Sequence, residues 1–181
     1  MSDITIVSKA IQSVLNNTNS FFKFISANDS GETGGHQAGI LIPKPAVPVI
    51  FPKLFPRGKN ESYFADIVWE DGFVTQSRFI YYGQGTRDEY RVTNFGREFD
   101  YRSRIETGNL FVLTRNSQDY SNFSAFILKD EESMEEFLAA FSLSPVDAGK
   151  IIHIQSHRKD LTEETEFYKF ASALNNEFPN T

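Results

Sequence analysis

The chain has 181 residues, of which 40% are apolar, 14% aromatic and 23% charged, with 18 Phe among them; that is enough material for one globular core and excludes a disordered chain. It contains no Cys, which excludes a disulfide framework and a thiolate metal site, so nothing calls for an oxidising compartment. The net charge of −6 argues against a nucleic-acid partner only if charge is spread evenly, and it is not: residues 1–128 hold 13 Lys+Arg and 13 Asp+Glu, residues 129–181 hold 5 and 11.

In chain order, Ile4, Val7, Ile11, Val14 and Leu15 follow three-and-four spacing behind Asp3, which predicts an amphipathic helix with Asp3 as its N-cap. No apolar run reaches the ~18 residues that span a bilayer, and "MSDITIVSKA" lacks the basic start and long apolar stretch of a signal peptide. Neither export nor membrane insertion is expected. Phe21 to Ala27 reads as a strand and Ala38 to Ile42 as the next, framing a polar, Gly-rich loop from Asn28 to Gln37. Pro43, Pro45, Pro48, Pro52 and Pro56 then forbid a central strand and predict an irregular crossing, with at most a helical turn around "FPKLF".

"SYFADIVWE" and "FVTQSRFIYYG" meet across Asp71-Gly72, predicting a hairpin with a two-residue turn, positive in φ at both positions. A second polar loop runs from Gln84 to Glu106. "NLFVLTR" and "FSAFILK" pair through "NSQDYSN". Asp130 is placed to cap a helix with Glu131 and Glu132 in its first turn and Met134, Phe137, Leu138 and Phe141 on its apolar face. "KIIHIQ" reads as a further strand, and a last helix begins at Thr162, burying Phe167, Phe170, Ala171 and Leu174. The fold class is therefore mainly β with flanking helices (α+β), seven or eight strands closing into a barrel or pseudobarrel.

Several chemistries are absent. No Asp-x-Lys or Glu-x-Lys occurs, so the second half of a common metal-dependent nuclease signature is missing. His153 and His157 lie in a strand-like segment, where a spacing of four separates the rings, and no metal site is expected. "SGETGG" lacks the ending and context of a phosphate loop, no Ser/His/Asp signature is visible, and the run Glu131 to Glu136 is a solvated helix face.

What is present is a bias: from Asn60 to Leu128 there are seven Arg (Arg78, Arg87, Arg91, Arg97, Arg102, Arg104, Arg115) and no Lys. Arg carries a planar fork of donors that suits guanine edges and phosphates. Alternatively these Arg flank strands and pair with Asp88, Glu89, Glu98 and Asp100. Tyr81, Tyr82 and Trp69 are expected to pack, and Arg102 and Arg104 to support the barrel. The two long loops bring together hydroxyl, amide, imidazole, guanidinium and carboxylate groups, the types that read base edges; their acids weaken plain phosphate attraction and favour a sequence reader over a non-specific clamp.

"SANDSGETGGHQAGILIP" (Ser26 to Pro43), "KLFP" (Lys53 to Pro56) and "IYYGQGTRDEYRVTNFGR" (Ile80 to Arg97) resemble the N-terminal effector-binding domains of EcoRII-type restriction endonucleases, over roughly Phe21 to Arg115. The resemblance implies a DNA-binding pseudobarrel like the plant B-three domain, in which two loop arms grip double-stranded DNA from the major groove, and a short CC(A/T)GG-like target. It assigns Ser30, Glu32, Thr33, His36 and Gln37 to the first arm, with His36 a base or backbone contact, and Lys23 to a position near phosphate. To the second arm it assigns Arg87, Asp88, Glu89, Tyr90, Arg91, Asn94 and Arg97, Arg reading guanine and Glu reading cytosine. On the residues alone His36 can instead brace its loop, and Glu89 can orient Arg87 or Arg91 by a salt bridge. Two positions depart from the family: Leu41 stands in place of Tyr and Tyr90 in place of Lys, the second lowering the positive charge of its arm.

The expected organisation is one domain over residues 1–175, a linker over residues 176–181, and a nuclease domain of the same polypeptide beyond Thr181. Mg2+ is expected only in that nuclease, no cofactor in this domain, which is expected to be a monomer in the bacterial cytoplasm without nuclease activity of its own. The competing readings are a β-barrel adaptor docking a protein partner through its acidic C-terminal part, and a small hydrolase.

Overall fold

The computed structural model describes residues 4–17, 19–34 and 39–153. The first helix, α1 (Ile6–Asn16), is capped by Thr5, whose hydroxyl accepts from the Ser8 N–H at 3.2 Å; Asp3 lies outside the described residues. Strand β1 (Ser20–Phe24) stops short of Ala27 because Ser26 caps the short helix α2 (Ala27–Ser30) in a capping box with Asp29. Strand β2 is trimmed to Ile40–Ile42. The helical turns of the proline crossing, a 3-10 turn at Lys44–Ala46 and α3 (Val47–Ile50), precede "FPKLF" instead of covering it, with Pro45 and Pro48 in first-turn positions that need no donor.

The hairpin of β3 (Glu61–Trp69) and β4 (Val74–Tyr82) forms as expected. Its turn is longer than two residues: only Gly72 of the Asp-Gly pair has positive φ (85°), with Gly72 N–H donating to Trp69 O and Trp69 N–H to Phe73 O, both at 2.8 Å. The stretch from Gln84 to Glu106 is not structureless, since it contains β5 (Glu89–Thr93) and α4 (Tyr101–Arg104). β6 (Leu110–Arg115) and β7 (Asn122–Leu128) pair antiparallel, and α5 (Glu131–Ala140) starts on Asp130, which accepts from Ser133 N–H at 2.8 Å. "KIIHIQ" yields an isolated bridge between Phe21 and Ile151, beside which Ile152 N–H donates to Ser20 O at 2.8 Å; Ile154 and Gln155, and the expected last helix and linker, lie outside the described residues.

The seven strands form one sheet in the order β1-β6-β7-β3-β4-β5-β2, antiparallel except between β3 and β7. It curls into a pseudobarrel: both end strands feed the same interior core, Phe21 from β1 and Ile40 and Ile42 from β2, with Ile67, Trp69, Phe79, Tyr81, Tyr90 and Phe123 between them. The polar edge of Trp69 is satisfied inside by Thr75 Oγ1 at 3.0 Å. A second core lies outside the sheet, where Phe22, Leu110, Val112, Phe126 and Leu128 meet Val7, Ala10 and Val14 of α1 and Phe137 of α5, with Phe141 just beyond α5. Covered on both faces, β6 is buried at every position. On β3 and β4 burial tends to alternate, leaving much of one face outside the core.

Candidate nucleic-acid interface

On β5, Tyr90 and Val92 join the interior core, so Glu89, Arg91 and Thr93 point outward. Register sets their neighbours: Tyr82 lies opposite Glu89, Ile80 and Leu41 flank Arg91, and Arg78 lies opposite Thr93. The outer face of β4, β5 and β2 thus gathers Arg78, Tyr82, Arg87, Glu89 and Arg91, between the feet of two loops.

The second loop, residues 83–88, is held by its own base. Asn60 Oδ1 accepts from Gly83 N–H at 3.0 Å and Gln84 N–H at 3.3 Å, and Arg57 donates to Gly85 O at 3.0 Å. Asp88 faces the barrel, accepting from Lys44 Nζ at 2.6 Å and the Tyr81 hydroxyl at 3.0 Å. Arg87 lies 3.8 Å over the Tyr82 ring and donates to Glu89 Oε1 through Nε at 3.1 Å and through Nη2. Burial opposes ionisation of Glu89, but hydrogen bonds and charge from Arg87 and Arg91 outweigh it and hold the carboxyl below its ordinary value. The side chain of Arg87 stays 34% exposed and that of Arg91 only 5%.

Arg91 is consumed on all sides: Nε donates to Glu89 Oε1 at 3.3 Å, Nη2 to Glu89 Oε2 at 3.4 Å and Nη1 to Gly39 O at 3.2 Å. Gly39 ends the first loop and lies so close to β5 that a Cβ there would sit 2.7 Å from Thr93 Cγ2 and 2.9 Å from Val92 O. At the other end of that loop Asp29 is fully buried: Oδ2 accepts from Lys23 Nζ at 2.6 Å, and Oδ1 from Leu41 N–H at 2.8 Å. The Tyr101 hydroxyl donates to Asp29 O at 2.6 Å, and Ser30 Oγ is 2.8 Å from Thr107 Oγ1.

The expected site residues therefore separate. Glu32, Thr33, Asn94 and Arg97 are exposed, as is Asp88 at the foot of its loop, and Ser30, Arg87 and Glu89 are half-buried. Asn94, in a left-handed conformation (φ 60°), lines with Phe95, Gly96, Arg97 and Tyr101 a shallow hollow of about 280 Å³. His36 and Gln37 lie outside the described residues. Lys23, expected near phosphate, is instead buried with its ammonium on Asp29, and Tyr90 is a core residue whose hydroxyl accepts from Phe55 N–H at 2.8 Å. Trp69 and Tyr81 pack in the core, whereas Tyr82 is the outward platform under Arg87. Arg104 braces the barrel, paired with Asp71 at 2.5 Å and lying 5.0 Å over Phe99. Arg78 reaches Tyr82 Oη with Nη2 at 3.4 Å, a place on the site that the alternation of β4 signals and that the two-loop view passed over. Among the described residues no group of three His, Cys, Asp or Glu side chains is arranged to hold a metal, and no helix is long and apolar enough to cross a membrane.

A pseudobarrel with guanidinium groups on one outer face between two loop feet is a scaffold able to hold charged side chains in fixed positions. The family model described as "Restriction endonuclease EcoRII, N-terminal" matches residues 14–157, and the chain belongs to that family. A curated relative, the type II restriction enzyme EcoRII of Escherichia coli, is 37% identical over 100 residues, 51% of this chain; the match spans 25% of that enzyme's length. Among solved structures, the UbaLAI restriction endonuclease B3 domain with cognate DNA is similar over 73% of this chain and 83% of its own, at 19% identity and a TM-score of 0.45.

Proposed function

We propose that this domain reads double-stranded DNA sequence-specifically for a type II restriction endonuclease. The duplex lies across the outer face of β4, β5 and β2, with the two loops entering the major groove as arms. The observation that carries this reading, beside family membership, is Arg87: a half-exposed guanidinium whose plane is fixed by Tyr82 below and by the Glu89 carboxylate it donates to, an orientation suited to approaching a guanine O6/N7 edge. Ser30, Glu32, Thr33, His36 and Gln37 supply the first arm, and Asn94 and Arg97 the flank of the second. Lys23 and Tyr90 support the scaffold. The target is a short CC(A/T)GG-like site; the catalytic step and its Mg2+ belong to a nuclease domain of the same polypeptide, which occupancy of this domain controls, in the bacterial cytoplasm. This domain works as a monomer, without a cofactor.

Selection of bound duplexes from a random pool, followed by mobility shifts at several salt concentrations, tests this. One short sequence should be enriched and bound ~10³-fold or more tightly than random DNA, with affinity falling as salt rises. Equal affinity for every duplex, or binding to none, overturns the reading and leaves a protein-docking adaptor.

A further inference from the structure

We infer that Arg91 is a positioning residue that ties the two arms to one another, and touches no DNA itself. The inference rests on the DNA-reading function proposed above and changes what its second arm does. Arg91 stands in the middle of β5, between Leu41 of β2 and Ile80 of β4, on the outer face. A residue there would be expected to present its head to the partner. Its side chain is instead 5% exposed, and its fork is divided between the two loops. Nη1 reaches the carbonyl of Gly39, where the first arm rejoins the sheet; Nε and Nη2 reach the carboxylate of Glu89, which in turn holds Arg87.

The chain of contacts Gly39, Arg91, Glu89, Arg87 therefore runs from the foot of one arm to the guanidinium of the other, entirely through side-chain donors and one shared carboxylate. The described ends of the first arm are both pinned. Gly39 is pressed against Val92 and Thr93, and the opposite end of the loop is fixed by Asp29 and Tyr101. Moving Arg91 moves both feet. A carboxylate shared by two guanidinium groups also explains how an acid is tolerated on a face meant for a polyanion: Glu89 is neutralised before any DNA arrives.

Arg91→Lys separates this role from a DNA contact. Lysine keeps the charge and the stem but has a single head, which cannot serve the Gly39 carbonyl and the Glu89 carboxylate in the Arg geometry. In the 181-residue chain the variant should lose ~10-fold or more in cognate affinity while binding to random duplex changes less than ~2-fold, and its salt dependence should keep the wild-type slope. Combined with Arg87→Ala, it should add far less than the product of the two single effects at the base Arg87 reads, because both act through one chain of contacts. Without any DNA, amide exchange should quicken at Gly39 and Ile40 and at residues 84–88 together. Glu89→Gln, which weakens the chain at its shared carboxylate and keeps Arg91 in the sequence, should quicken residues 84–88 and serves if the lysine variant fails to fold. A shallower salt slope or an equal loss on all duplexes would make Arg91 a phosphate contact and overturn the inference, as would unchanged exchange in both loops. Exchange that responds as expected in a chain that prefers no sequence would keep the link between the loops and overturn the DNA-reading function alone.

Discussion

Lys23 and Asp29 fasten the open side of the barrel. The strands β1 and β2 stand at opposite ends of the sheet and share no ladder, yet Lys23 on β1 donates to Asp29 at 2.6 Å and to the Leu41 carbonyl on β2 at 3.0 Å, while Asp29 accepts from the Leu41 N–H at 2.8 Å. One side-chain pair thus satisfies both backbone groups of a strand residue that has no neighbouring strand on that side. The same pair anchors the entrance of the first arm.

Replacing Lys23 by Met leaves the Asp29 carboxylate buried without its cation, and loss of one partner of such a pair costs ~3 to 5 kcal/mol. Urea denaturation should show that loss. DNA binding by the fraction that remains folded should keep the wild-type salt slope, because the ammonium is turned inward; a slope reduced by about one would return Lys23 to the phosphate backbone.

Acid should undo the same fastening. Burial opposes ionisation of Asp29, but Lys23 and the Leu41 and Ser26 N–H groups outweigh it and hold the folded pKa below the ordinary aspartate value. A carboxyl depressed in the folded state contributes stability above its unfolded pKa, about 3.9, and loses it as pH falls through the folded one. The stability gap between wild type and Asp29→Asn should therefore be constant near neutrality and shrink below about pH 4. A gap that persists unchanged to pH 2 contradicts this.

Gly39→Ala tests the close approach of the first arm to β5. The new methyl would meet Thr93 Cγ2 at 2.7 Å and the Val92 carbonyl at 2.9 Å, so a cost of ~1 to 3 kcal/mol is expected. Adding Thr93→Ser removes the side-chain clash and not the carbonyl one, and should restore stability in part. Full restoration would show that the backbone is free to give way.

Arg87→Ala should cost ~1 to 3 kcal/mol on the preferred duplex and relax the choice at a single base step, with little change on random DNA. Competition binding against duplexes altered one base at a time reads this directly; a uniform loss on all of them assigns Arg87 to phosphate.

Much of the frame was legible because its signals are local. Alternation and the Asp-Gly turn place β3 and β4, and Asp130 with two following acids places α5. The strand β5 was hidden for a physical reason. Its sequence, Glu-Tyr-Arg-Val-Thr, has polar side chains on the outer face and sits among Gly and charged residues, so it reads as loop until β4 and β2 are there to pair with it. The same holds for the site. Arg87 is a candidate from its residue type and neighbours alone, but the inward turn of Lys23 depends on Asp29, and the occupation of Arg91 on Gly39; both arise only when distant segments meet. The turn after β3 differs because Glu70 joins the loop, leaving Gly72 alone to take the left-handed conformation.

The placement of α1 and α5 behind β1, β6 and β7 divides the labour of the molecule. The second core they form lies on one half of the sheet, and the outer face of β4, β5 and β2, with Arg78, Tyr82 and Arg87, lies on the other. If the proposed reading holds, combinatorial libraries at Arg78, Tyr82, Arg87 and Asn94 should yield altered preferences while the packing of α1 and α5 on the sheet stays as it is.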